Sequence, residues 1–139
     1  MNIALIGAGN VGGVLGNRWA KAGHQIKFGV PDAGRPEVVA LLREIGSSAT
    51  AGNNRDAAAF GEIVVLATPW HATEAALQSA GDLTGKILVD CTNPLKTDLS
   101  GLLIGFDTSG GEQVADWARG ARVVKCFNTA AASSMARPD

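Results

Sequence analysis

Apolar residues in this chain fall into short unbroken runs that alternate with segments of three- and four-residue periodicity. Asn2-Ile3-Ala4-Leu5-Ile6 is a run without alternation, the pattern of a strand covered on both faces in a parallel sheet. Val11, Val14, Leu15, Trp19 and Ala22 then recur along one face of a helix that should stop near Gly23, with His24 placed to satisfy its last carbonyls. Gln25-Ile26-Lys27-Phe28 is the second strand. Pro36 and Glu37 open a second helix with a buried stripe of Val38, Leu41, Leu42 and Ile45, ended by Gly46. Residues 48–51 predict a weak third strand, and residues 56–60, after Asn53-Asn54 as caps, a short third helix. Residues 63–67 form the clearest later strand. A helix is expected over 71–80, where Ala72, Ala75, Ala76 and Ala80 would let it lie close on the sheet. Residues 86–90 are the fifth strand, Ser109 and Glu112 a capping box for a helix through Trp117 and Ala118, and residues 122–127 the sixth strand.

Between the first strand and the first helix lies Gly7-Ala8-Gly9-Asn10-Val11-Gly12, a full G-x-G-x-x-G. Gly7 allows the sharp turn off the strand, Gly9 lacks the Cβ that would stand between backbone and a diphosphate, and Gly12 lets helix and strand approach. The helix then offers free N–H groups and a partial positive charge to an anion. Six strands interleaved with helices behind such a turn define an α/β fold, a doubly wound parallel sheet of the Rossmann type. Right-handed crossovers favour the order 3-2-1-4-5-6.

The 139 residues suit one dinucleotide-binding domain over residues 1–139, with no separate substrate domain. Twelve Lys+Arg against thirteen Asp+Glu leave a formal charge of −1, which gives no reason to expect nucleic acid or an anionic membrane as partner. No apolar run is long enough to span a bilayer, and the N-terminus lacks the plan of a signal peptide, so a cytoplasmic protein is expected. Cys91 and Cys126 stand in no metal spacing and are expected to be reduced, buried thiols; no metal site is expected.

The end of the second strand bears on the cofactor. Where NAD is preferred, an acidic residue there accepts hydrogen bonds from the adenosine ribose. Here Gly29, Val30 and Pro31 follow the strand, which leans toward NADP over NAD; Arg35 is the only basic residue in the loop and Asp32 opposes it. Ligands in open parallel sheets lie beyond the strand ends at the switch point, so Thr68, Pro69, Trp70 and His71 should face the dinucleotide. Trp70 would offer a flat wall or fill the core. His71 sits at a helix start, more as a solvated residue than as a proton donor.

Gly7 to Gly12, the Ala22-Gly23-His24 turn, the second strand ending in Gly29, Thr68-Pro69-Trp70, Asn93-Pro94-Leu95 and Phe127-Asn128-Thr129 together resemble the NADP-binding part of the deazaflavin (coenzyme F420)-dependent NADP oxidoreductase family, which is related to pyrroline-5-carboxylate reductase. The resemblance implies hydride transfer between NADP(H) and a deazaflavin or flavin-like acceptor. It places Ala8, Gly9, Asn10 and Val11 at the pyrophosphate, and Val30, Pro31 and Arg35 around the 2′-phosphate. Pro69, Trp70, Asn93, Pro94 and Asn128 would lie near the nicotinamide. Family members often carry Ser-Arg or Arg where this chain has Val30-Pro31. They also continue beyond the Asn-Thr motif with a part expected to be absent here, one that closes the substrate pocket and supplies a homodimer contact. Transfer between two flat rings needs no acid/base pair. Two alternatives stay open: reduction of a small carbonyl or imine, with His71, Lys96 or Lys125 as proton donor, and a dinucleotide-binding module without catalysis.

Overall fold

The computed structural model describes residues 1–137. Six strands, β1 (Asn2–Ile6), β2 (Gln25–Gly29), β3 (Ala49–Gly52), β4 (Ile63–Leu66), β5 (Ile87–Asp90) and β6 (Arg122–Lys125), form one parallel sheet in the order β3-β2-β1-β4-β5-β6. The expected order is therefore the observed one. Helices α1 (Asn10–Lys21) and α2 (Pro36–Ile45) cover one face. Helices α3 (Asn54–Phe60), α4 (Trp70–Ala80) and α5 (Gly110–Trp117) cover the other, and a short α6 (Ala132–Ala136) follows β6.

The unbroken apolar runs are explained by this double cover. Along β1, Ile3 and Leu5 pack with Leu15, Ile26, Phe28 and Val38, whereas Ala4 and Ile6 pack with Ala57, Val64, Leu77 and Leu88. Successive side chains thus enter opposite cores, and neither face has reason to be polar. Each fully buried Leu, Ile or Phe contributes about 1.5–3 kcal/mol relative to exposure.

Helix α1 departs from the expected apolar stripe. Its buried positions are Gly12, Gly13, Leu15 and Gly16, while Val11, Val14 and Trp19 are only half-buried. A Cβ on Gly16 would overlap the Phe28 ring and come within 2.9 Å of Leu5, so the helix lies on the sheet through missing side chains rather than through large ones. In α4, likewise, Thr73, Ala76, Leu77 and Ala80 are buried; Ala72 and Ala75 border a cavity instead of the sheet.

Element ends follow local chemistry. The Asn53 side chain accepts from the Asp56 N–H at 2.8 Å, so α3 begins at Asn54 rather than at 56. Pro69 precedes α4, which starts at Trp70. The capping box is present: the Glu112 N–H donates to Ser109 Oγ at 3.1 Å, and the Ser109 N–H donates to the Glu112 carboxylate at 2.7 Å. At the end of α1 the main-chain N–H of His24 donates to Trp19 O at 3.0 Å, so its backbone, not its ring, satisfies a carbonyl. Strand β6 ends at Lys125, two residues short of the expected boundary, because Phe127 turns the chain with φ +65°. Helix α6 was not signalled by any pattern; Met135 and Phe127 tuck against the α1 side, with Phe127 edge-on to Trp19 at 6.2 Å. Among the described residues no helix is long and apolar enough to cross a membrane.

Candidate functional site

A parallel sheet gathers the carboxyl ends of its strands along one edge, and the chain's glycine turn lies there. Gly7 has φ +104°, and a Cβ on it would stand 2.5 Å from Ala67 O at the end of β4. A Cβ on Gly12 would overlap the carbonyl of Gly7. A Cβ on Gly9 would meet nothing within 4 Å. Two of the glycines are therefore demanded by the protein's own packing, while the third faces open space. Gly9 caps α1 without a side chain, and no acidic residue occupies that helix's first turn. Uncapped N–H groups and the helix dipole thus point into the space before Gly9.

Three cavities border the turn: one of about 660 Å³ lies between α1 and α2, and the other two lie along the sheet edge. The first of these two, about 450 Å³, runs from Gly7, Ala8 and Gly9 past the β2 end at Val30, Pro31 and Arg35, and is closed by Thr68, Pro69 and the α4 alanines Ala72, Ala75 and Ala76. The second, about 340 Å³, contains Asn10, Val11, Trp70, His71 and Asn93 together with Cys91, Thr92, Leu95 and Lys96. Gly9, Thr68 and Pro69 border both. The result is a two-chambered trough with its narrow middle at the glycine turn, and Gly9's missing side chain leaves that middle clear.

The walls are held by hydrogen bonds. Thr73, fully buried, donates to Pro69 O at 3.0 Å, and its hydroxyl lies 2.9 Å from that of Thr68. Asn93 Nδ2 donates to Asn128 O at 2.8 Å, and Asn128 Nδ2 to Asn93 Oδ1 at 3.4 Å, so Asn128 supports the second chamber from behind Asn93. Pro94 is buried against the position of Gly110 and also stands behind the wall. Trp70 does both things expected of it: it packs on Trp117 with centroids 5.3 Å apart and borders the second chamber.

The candidate proton donors separate. Lys125 is held by the fully buried Asp90 at 3.0 Å and also donates to Thr92 O, so its ammonium is engaged in tying β6 to the end of β5. His71, exposed, and Lys96 border the second chamber. Both cysteines are free thiols, Cys91 buried and Cys126 half-buried. Burial, then the neighbouring Asp90 and Cys126, push the Cys91 thiol up to about 12 against a weaker opposing pull from Lys125. No cluster of potential metal ligands occurs among the described residues.

Several wall residues carried no signal in the sequence. Asn54, expected only as a cap, borders the first chamber; its Nδ2 donates to Ser79 Oγ at 2.7 Å while its Oδ1 is buried without a partner. Thr97 and Leu99 reach the second chamber from a loop folded back by the Leu95–Leu102 bridge.

A six-stranded doubly wound sheet whose glycine turn opens into a two-chambered trough at the switch point is a Rossmann-type dinucleotide-binding fold. The family described as NADP oxidoreductase, coenzyme F420-dependent, matches residues 2–94. The chain belongs to that family. It is 32% identical over 148 residues to an F420-dependent NADP reductase of Methanothermobacter thermautotrophicus, covering 97% of this chain and 64% of the relative, so it spans just under two thirds of that protein's length. A crystal structure of a putative F420-dependent NADP reductase from Arthrobacter sp. FB24 superposes with TM-score 0.91 at 36% identity, over 99% of this chain and 67% of that one. A pyrroline-5-carboxylate reductase from Coxiella burnetii shares the fold at TM-score 0.61 and 19% identity, over 89% of this chain and 42% of that one.

Proposed function

We propose that this chain binds a nicotinamide dinucleotide along its trough and serves an oxidoreductase that passes hydride between that dinucleotide, NADP(H) by the names of its relatives, and coenzyme F420 or a flavin-like ring. The observation that carries the reading is the open space before Gly9, between two chambers of suitable size and beside the uncapped start of α1. Ala8, Gly9, Asn10 and Val11 would hold the diphosphate by main-chain N–H groups, with Gly7 and Gly12 shaping the turn. Val30, Pro31, Arg35 and Thr68 would surround the adenosine, while Pro69, Trp70 and Asn93 would line the nicotinamide side, with Pro94 and Asn128 bracing it.

When bound, the dinucleotide supplies the hydride chemistry. The chain's contribution is positional: an apolar wall from Trp70 and Pro69, amide groups from Asn93 braced by Asn128, and exclusion of water around a donor carbon that must come within about 3–3.5 Å of its acceptor. No acid/base pair is needed for ring-to-ring transfer, which suits a chamber lined by Pro69, Trp70 and Asn93, while the Lys125 ammonium outside it is engaged by Asp90. The reaction would take place in the cytoplasm, with a small-molecule redox acceptor as partner and the chain paired as a homodimer.

The test is an acceptor panel. The 139-residue chain is incubated with NADPH and, in turn, F420, FMN, FAD and pyrroline-5-carboxylate, and absorbance at the nicotinamide band is followed. Oxidation with F420 or a flavin, and none with the imine, supports the proposal. Turnover of the imine that is lost in His71→Ala or Lys96→Ala would replace it with the carbonyl or imine reading.

A further inference from the structure

The adenosine end of the trough departs from what a 2′-phosphate needs. Val30 is buried, and its main-chain N–H donates to Gly52 O at 2.9 Å; Pro31 has no N–H and no polar side chain. At the start of α2, Pro36 again offers no donor, and the Val38 N–H donates back to Arg35 O at 3.0 Å. The single guanidinium, Arg35, lies 3.7 Å from the Glu37 carboxylate. Two acidic residues, Asp32 and Glu37, thus border the cavity beside one basic residue. A dianionic phosphate would enter a rim where two acidic residues outnumber one guanidinium.

A free ribose diol has the opposite requirement, an acceptor, and one is present. Asp32 borders the same cavity three residues past the Gly29 end of β2, the strand end beside which NAD-binding sheets place an acidic residue for the ribose hydroxyls. Its Oδ1 accepts from the Gly34 N–H at 2.8 Å, which fixes the carboxylate on the loop. Its Oδ2 takes no hydrogen bond from the described residues.

We propose that Asp32 makes the adenosine-ribose subsite of this chain read the unphosphorylated diol, so that NADH is held at least as tightly as NADPH. The inference rests on the dinucleotide-binding reading above and concerns the selectivity of that site. Pro31 is its second determinant, since it offers neither an N–H nor a polar side chain to an anion.

Titration of the 139-residue chain with NADH and NADPH, followed by nicotinamide fluorescence, tests it. The expected result is a Kd for NADH equal to or below that for NADPH. Asp32→Asn should weaken NADH about tenfold, the value of one charge-assisted hydrogen bond, while NADPH stays unchanged or tightens. Pro31→Arg should tighten NADPH alone. Wild-type preference for NADPH of tenfold or more, or an Asp32→Asn variant in which both affinities move together, overturns the assignment while leaving dinucleotide binding intact. Failure to bind either cofactor overturns both readings.

Discussion

Three glycines of one motif do three separable jobs, and single substitutions should tell them apart. Gly9→Val places a side chain in space that no protein atom occupies, so the domain should fold with unchanged circular dichroism while NADPH binding is lost. Gly12→Val drives its Cβ into the carbonyl of Gly7 and should fail as a folding mutant, giving little soluble protein. If Gly9→Val instead bound NADPH with unchanged affinity, the diphosphate would have to lie elsewhere. Cys91 makes a second residue-scale case. It borders the nicotinamide-side chamber, yet with a pKa of about 12 only about one part in ten thousand is thiolate at pH 8. A maleimide should therefore leave Cys91 unmodified in the native protein and label it in denaturant, as read by peptide mass. Labelling of Cys91 as fast as a free thiol at pH 8 would show that the chamber activates it.

Among the elements, the helix that follows the glycine turn differs most from its sequence pattern. Val11, Val14 and Trp19 suggest an ordinary apolar stripe, but the surface pressed on the sheet is Gly12 and Gly16 beside Leu15, with Gly13 turned to Leu41 of α2. Periodicity scores large apolar side chains and cannot score their absence, so a glycine-mediated approach is invisible to it. Gly16→Val should lower stability by about 1–3 kcal/mol through overlap with Phe28 and Leu5, seen as a lower urea midpoint at unchanged slope. The strands were far more legible, because cover on both faces leaves a run such as Ile63-Val64-Val65-Leu66 with no polar position to confuse it. Caps were legible for a different reason: Asn53 and the Ser109–Glu112 box act over three residues, within reach of a local pattern. What no local pattern carries depends on contacts remote in sequence. Helix α6, the Asp90–Lys125 tie and the Asn93–Asn128 brace join residues brought together only by the sheet order. Lys125 illustrates the cost: read alone it is a plausible proton donor, and only the neighbouring strand shows its ammonium already engaged.

For the molecule as a whole, the trough's division into chambers makes a quantitative claim about which half of a dinucleotide carries the binding. On the proposed placement the adenosine side would join the larger of the two sheet-edge chambers to the glycine turn, so a fragment containing adenosine and the diphosphate would touch both the alanine wall of α4 and the uncapped start of α1. Nicotinamide mononucleotide would reach only the smaller chamber and one phosphate position. Any ligand that binds the native state alone raises stability by mass action, about 2.7 kcal/mol at a hundred times its Kd, or roughly 8–10 °C for a domain of this size. ADP-ribose should therefore produce most of the thermal shift given by intact NADH at equal concentration, and nicotinamide mononucleotide very little. In Gly9→Val both shifts should vanish, because each ligand needs the phosphate position that the new side chain fills. An equal shift from the mononucleotide would mean that the nicotinamide chamber binds independently, and the two cavities would then be separate sites rather than two ends of one.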